Sequence, residues 1–167
     1  MSKIGILSFE SDTSADQALL AKRAEKLGFE SFWLPEHTVL PLETRTPYRG
    51  SLDGVPPEVY GHIVDPFIAF ARASGVTTTI KLGTSVCLVP ERNPLLLGKE
   101  IATLDRYSGG RFIFGIGVGW LQEETEIRGS DFHHRWSQTR ESIAAMKELW
   151  TKDQSEFHGQ YYDFPRL

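Results

Sequence analysis

Three observations predict an α/β fold with a parallel sheet. Strand-like and helix-like segments alternate along the 167 residues; two of the helices open on a capping residue followed by proline; and one stretch, Ser108-Gly-Gly-Arg-Phe-Ile-Phe-Gly-Ile-Gly-Val-Gly-Trp120, reads as a buried strand entered from a Gly-Gly turn. Alternation of this kind implies parallel strands joined by right-handed crossovers. An open doubly wound sheet and part of a (β/α) barrel both satisfy it.

The first strand is expected over residues 3–9. Ser14-Ala-Asp-Gln17 then has capping-box form and starts a helix through Leu27, stopped by Gly28, with Leu20, Ala24 and Leu27 on one face. Ser31-Phe-Trp-Leu-Pro-Glu-His37 gives a second strand, and Pro35 marks its exit, so His37 lies at a strand's C-terminal end. Residues 38–64 form a long loop rich in proline, glycine and tyrosine, of a length that is usually functional or mobile.

Asp65-Pro66 caps and opens the next helix, closed by Gly75. Residues 81–89 form a third strand. Asn93-Pro94 then opens a helix with Leu97, Ile101 and Leu104 on its inner face, and the glycine-rich strand follows. Along that strand Phe112, Phe114, Ile116 and Val118 alternate with Ile113, Gly115, Gly117 and Gly119. The bare glycine face either leaves space for a ligand or relieves crowding. An acidic turn at 122–126, a helix at about 134–152 with Ile143, Met146 and Trp150 as its stripe, and a hairpin around His158-Gly159 complete the chain.

A single domain spanning residues 1–167 is expected, since 40% hydrophobic and 24% charged residues are ordinary for a globular chain of this length. Net charge is −4 and the basic residues are scattered, which argues against a nucleic-acid partner. The lone Cys87 excludes an internal disulfide framework. No apolar run approaches membrane-spanning length and no signal-peptide pattern follows Met1, so a soluble, cytoplasmic protein with no membrane partner is the expectation. The first strand-to-helix turn lacks G-x-G-x-x-G, and Ser108-Gly-Gly-Arg111 precedes a strand rather than a helix, so neither is a phosphate loop. His133, His134 and His158 lack partners at metal-binding spacing, and no metal site is expected.

Taken together, Trp33-Leu-Pro-Glu-His-Thr38, Asp65-Pro66, Leu82-Gly-Thr-Ser-Val-Cys-Leu-Val-Pro-Glu-Arg-Asn-Pro94, Lys99-Glu-Ile-Ala-Thr-Leu-Asp105 and residues 108–120 resemble the luciferase-like monooxygenase superfamily. Within it the match is to the branch of oxidoreductases using coenzyme F420. The resemblance implies a parallel (β/α) TIM-barrel-like architecture with its site at the C-terminal ends of the strands. It implies His37 as the catalytic residue beside the reacting face of the coenzyme, binding or protonating substrate. Glu36 would orient His37 or bond the ring edge, and Ser85-Val86 would form a non-prolyl cis peptide under the ring. Trp120 would wall the ring pocket or pack as core, Gly119 would add a coenzyme contact, and Glu123 would contact the coenzyme or stand as a solvated helix-start carboxylate.

Only about four βα units are present, so the resemblance is to a half or truncated barrel, the amino-terminal half of the family fold. Such a half would expose its sheet edges and the apolar inner face of its sheet, and a homo-oligomer, in the first instance a dimer completing a barrel, is one way to cover them. The function implied is hydride transfer between coenzyme F420 and a small-molecule substrate, with residues 38–64 as a substrate-side lid. The alternatives are an FMN-dependent monooxygenase of the same superfamily and a non-catalytic half-barrel module for oligomerisation or ligand binding.

Overall fold

The elements run in chain order β1 (Gly5–Leu7), α1 (Gln17–Lys26), β2 (Ser31–Leu34), α2 (Pro66–Ser74), β3 (Lys81–Thr84), β4 (Cys87–Leu88), α3 (Pro94–Ser108), β5 (Phe112–Ile113), β6 (Ile116–Gly117), α4 (Gln122–Ile127), α5 (Arg135–Thr151), β7 (Phe157–His158) and β8 (Asp163–Phe164). The structure is a computed structural model and describes residues 3–9 and 15–167. β1, β2, β3 and β5 lie side by side in that order, all parallel. The helices fill the crossovers, as the alternation requires.

Local chemistry sets the helix ends. The Asp65 carboxylate accepts from Ile68 N at 2.9 Å, Asn93 Oδ1 accepts from Leu95 N at 2.9 Å, and Pro66 and Pro94 occupy first-turn positions that need no donor. α3 ends where Gly109 turns left-handed at φ 68°. At α1 the cap is Asp16, which accepts from Ala18 N at 2.9 Å; the Ser14 of the expected capping box lies outside the described residues. The buried face of α1 is Gln17, Ala18, Ala21 and Ala24 rather than the expected Leu20–Ala24–Leu27 stripe. Leu27 is the C-cap and is 59% exposed, because the helix ends before it can turn that position inward.

Register gives the sheet two unlike faces. Phe32, Leu34 and Leu82 point to the helices and pack with Phe70, Ala73, Leu97, Leu104 and Met146. On the other face the Trp33 indole lies across Gly83, where a Cβ would come within 2.5 Å of it, and donates to Ser31 Oγ at 2.8 Å. That face is open, and Leu7 is among its exposed apolar residues.

The glycine-rich stretch differs from the single buried strand expected. It is two short strands, β5 paired in parallel with β3 and β6 with β4, and its residues are half-buried, with Ile116 exposed. Gly115 sits at the joint, where its N–H donates to Thr84 Oγ1 at 3.0 Å while Cys87 N donates to its carbonyl at 2.8 Å. A Cβ on Gly115 would collide with the Thr84 carbonyl, and one on Gly117 with Val86 Cγ2. Both glycines therefore admit the neighbouring strand, not a ligand.

At the opposite, N-terminal end of the strands, two charged side chains staple backbone. Glu25 Oε1 accepts from the N–H groups of Thr78, Thr79 and Ile80, and the Arg111 guanidinium donates to the carbonyls of Ser74, Thr77, Ile80 and Ser108. α5 packs on α3 through buried Met146 and half-buried Ile143, and Trp150 Nε1 donates to the Gly98 carbonyl at 3.0 Å. The predicted terminal hairpin is present as β7 and β8, with Gly159 N bonded to the Tyr162 carbonyl across the turn.

Candidate active site

β2 ends at Leu34, and Pro35 releases the chain from the ladder so that Glu36 and His37 stand at its C-terminal end. Both are well buried, and their side chains serve different partners. Glu36 accepts from Leu88 N at 2.6 Å and from Arg92 Nε at 2.7 Å, and Arg92 Nη2 pairs with it as well. Arg92 also reaches Asp65 at 3.0 Å and stacks over the Phe67 ring at 4.8 Å. Glu36 is thus half of an ion pair that ties β2 to β4 and α3, and it does not orient His37.

Glu124 does. Its Oε2 lies 2.6 Å from His37 Nδ1, and its Oε1 accepts from Thr38 N at 2.7 Å and Val39 N at 3.3 Å. The two side chains are 6% and 1% exposed. On the far edge of the ring, Trp120 Nε1 donates to His37 Nε2 at 3.4 Å. An ionised carboxylate only accepts and an indole only donates, so these contacts define a neutral imidazole with its proton on Nδ1 and its lone pair on Nε2.

Aromatic rings enclose that lone pair. The Tyr60 ring centre is 5.0 Å from that of His37, Trp120 meets His37 edge-on at 6.0 Å, and Tyr48 lies 5.4 Å from Trp120. The Tyr48 and Tyr60 hydroxyls are 3.0 Å apart. Burial, with the Tyr48 bond added, pushes the Tyr60 phenol up to about 12, so at neutral pH it is a hydroxyl and not a base.

Both tyrosines ride on the long loop, and α4 holds that loop down. Glu123 Oε1 accepts from Arg45 N at 2.6 Å and Thr46 N at 3.2 Å, and Glu124 takes the N–H groups of Thr38 and Val39. Glu123, expected either at the coenzyme or as a solvated helix-start carboxylate, has one oxygen engaged on this loop and the other buried without a partner. The Trp120 indole touches His37 and lines the same space. Gly119, at φ 78°, is needed where it stands, because a Cβ there would come 3.0 Å from Glu91 Oε1.

Glu91 completes the group. It is buried, one carboxylate oxygen accepts from Thr125 Oγ1 at 3.0 Å, and the other has no partner. Burial, reinforced by the charge of Glu124, raises its carboxyl to about 8, so at neutral pH it is mostly protonated. Sequence reasoning missed both Glu91 and Glu124. Acidic residues at a helix start look solvated in a sequence, and only a strand-end histidine facing that helix distinguishes Glu124 from its neighbours.

The Ser85–Val86 peptide bond is cis, as the resemblance implied, and Ser85 N donates to the Leu34 carbonyl at 2.7 Å at the end of β2. Val86 is 38% exposed and rests on Gly117. The structure therefore brings His37 and Trp120 into contact and sets Ser85 and Val86 at the end of the adjacent strand. Beyond Trp120 opens a cleft of about 810 Å³ between residues 45–50 and the start of α5. Among the described residues no cluster of three or more His, Cys, Asp or Glu is arranged to hold a metal, and no helix is long and apolar enough to cross a membrane. His134 and His158 are each paired with an aspartate, Asp131 and Asp163.

A family model described as luciferase-like monooxygenase matches residues 5–167. An uncharacterized protein of Mycobacterium tuberculosis is 36% identical over 161 residues, which are 96% of this chain and 57% of that protein. An F420-dependent glucose-6-phosphate dehydrogenase of Amycolatopsis mediterranei is 32% identical over 168 residues, 98% of this chain and 46% of the relative. The chain spans about half the length of the relatives it matches. Among solved structures, the oxygenating constituent of 3,6-diketocamphane monooxygenase from Pseudomonas putida, in complex with FMN, superimposes with a TM-score of 0.76 at 21% identity, over 97% of this chain and 44% of that one. An F420-dependent secondary alcohol dehydrogenase in complex with an F420-acetone adduct does so with a TM-score of 0.72 at 24% identity, over 96% and 46%. Those two likenesses show the shared fold, of which this chain supplies about half.

Proposed function

Because the chain belongs to the luciferase-like monooxygenase family, we propose that it is the amino-terminal half of a coenzyme F420-dependent oxidoreductase acting on a small organic substrate. The observation that carries this reading is the buried His37, held neutral between Glu124 and Trp120 at the C-terminal ends of the strands. The F420-dependent glucose-6-phosphate dehydrogenase relative, at 32% identity, favours that coenzyme over FMN. The residues also fit a flat ring: Val86 presents an exposed apolar surface beside the His37 end of the sheet.

Once bound, the coenzyme supplies the hydride chemistry. His37 supplies the proton partner. Its Nε2 lone pair receives the proton that a substrate hydroxyl releases, or returns it in the reverse direction, while Glu124 stabilises the resulting imidazolium through Nδ1–H. The Trp120 contact at 3.4 Å is long for a hydrogen bond, so a substrate hydroxyl displaces it at small cost. Tyr48 and Tyr60, on the pinned loop, exclude water from the imidazole.

The test is a parallel titration of the purified chain with F420 and FMN, followed by coenzyme fluorescence. Saturable binding of F420 with little response to FMN supports the reading. The reverse preference moves the assignment to a flavin enzyme, and no binding of either removes it for this chain. His37→Ala is expected to lower turnover on the order of 10²–10⁴-fold with an unchanged circular dichroism spectrum.

A further inference from the structure

The cleft beyond Trp120 has a charge opposite to that of the chain. Arg45, Arg49 and Arg135 line it, against one carboxylate, Glu123, on a protein whose net charge is −4. Glu123 already has one oxygen committed to the Arg45 and Thr46 N–H groups. The arginines are not consumed by equivalent partners. Arg45 reaches Glu123 only at 3.7 Å with its side chain largely in solvent, and Arg135 uses Nη1 on the Phe132 carbonyl. Its Nε is buried with no partner.

The rest of the wall is aromatic. Tyr48, Trp120 and Trp136 face the same space, and Arg135 is itself stacked 3.7 Å over the Phe132 ring, which fixes the plane of its fork. Guanidinium forks recognise carboxylate or phosphate oxygens bidentately, and flat aromatic walls take an apolar body. We infer that this cleft is the subsite for the anionic group of an organic substrate, a carboxylate or phosphate monoester carried on an apolar or ring-shaped body. The assignment rests on the oxidoreductase reading only in calling that anion the substrate; the anion subsite itself stands on the cleft. Because Trp120 belongs both to the cleft wall and to the His37 contact, an occupant here is placed against the imidazole's own hydrogen-bond partner.

The experiment uses phenyl phosphate and the neutral benzyl alcohol as probes on the full chain, read by calorimetry and by the fluorescence of the wall tryptophans. Arg45→Gln/Arg49→Gln, at two exposed positions, is the variant. Phenyl phosphate is expected to bind saturably to the wild type and about tenfold or more weakly to the double variant, with benzyl alcohol indifferent to the change. Equal binding of the two probes, or an unaffected double variant, overturns the inference. F420 is titrated separately into both proteins. Equal F420 binding supports the substrate assignment, whereas its loss in the double variant would give the arginines to the coenzyme's own anionic tail and overturn it. If the wild type takes phenyl phosphate but neither F420 nor FMN, the anion subsite stands and the oxidoreductase reading falls.

Discussion

The two ends of the sheet use the same side chain in opposite ways. At the N-terminal end Glu25 is partly solvated and accepts three backbone N–H groups; burial opposes its ionisation, but the bonds from Ile80, Thr79 and Thr78 outweigh it and bring the carboxyl down to about 2. At the C-terminal end Glu91 is buried with one bond and a second carboxylate nearby, and its carboxyl rises to about 8. A carboxylate that collects N–H donors fastens backbone. One that is buried short of donors holds a proton. The first arrangement stabilises the fold, and the second accompanies the His37 site, as expected when binding chemistry gathers at one end of a parallel sheet.

The contrast is broken most severely at Glu124. Glu124→Gln keeps an acceptor for the Thr38 N–H but presents an amide donor to His37 Nδ1, so the ring proton moves to Nε2 and the lone pair facing Trp120 is lost. Turnover is expected to fall on the order of 10²–10⁴-fold. Nitrogen chemical shifts of His37 report the tautomer independently of any substrate, and an unchanged tautomer would refute the assignment.

Next is Arg92→Met. It strands the buried Glu36 carboxylate beside Leu88 N, and the expected loss is about 3–5 kcal/mol in urea unfolding. A loss below about 1 kcal/mol would mean that the pair does not tie β2 to β4.

The two opposed glutamates give the smallest and most discriminating effects. Glu91 binds its proton more tightly folded than unfolded, so wild-type stability should decline as pH rises from about 4.5 to about 8. Glu91→Gln removes that decline and gains on the wild type by about 1.4 kcal/mol per pH unit through the window. Glu25 does the reverse: its contribution is present above about pH 4.5 and is lost as pH falls towards 2. Glu25→Gln should therefore cost about 1 kcal/mol at neutral pH, after allowance for solvent screening, and nothing at the acid limit. Parallel slopes in the two variants would erase the distinction between the two ends.

Much of this was open to reading from sequence because it is local. The caps Asp65 and Asn93, the Gly109–Gly110 turn, the inner stripe Leu97–Ile101–Leu104 and the alternation of strands with helices depend on residues within a few positions of one another, and each stands in the structure. The position of His37 follows from Pro35 in the same way. The resemblance added the cis Ser85–Val86 peptide and the family, which no spacing rule supplies.

What the sequence alone did not determine lies between residues far apart. Whether Glu36 or Glu124 orients His37, whether Glu123 meets a ligand or a loop, and whether Gly115 and Gly117 leave space or are filled by the next strand all turn on contacts spanning about thirty to ninety positions. Neighbouring glutamates are identical as letters, and a helix separates them by about 100° of rotation. Only the packing of α4 against the end of β2 decided which carboxylate was desolvated against the imidazole and which was spent on the loop.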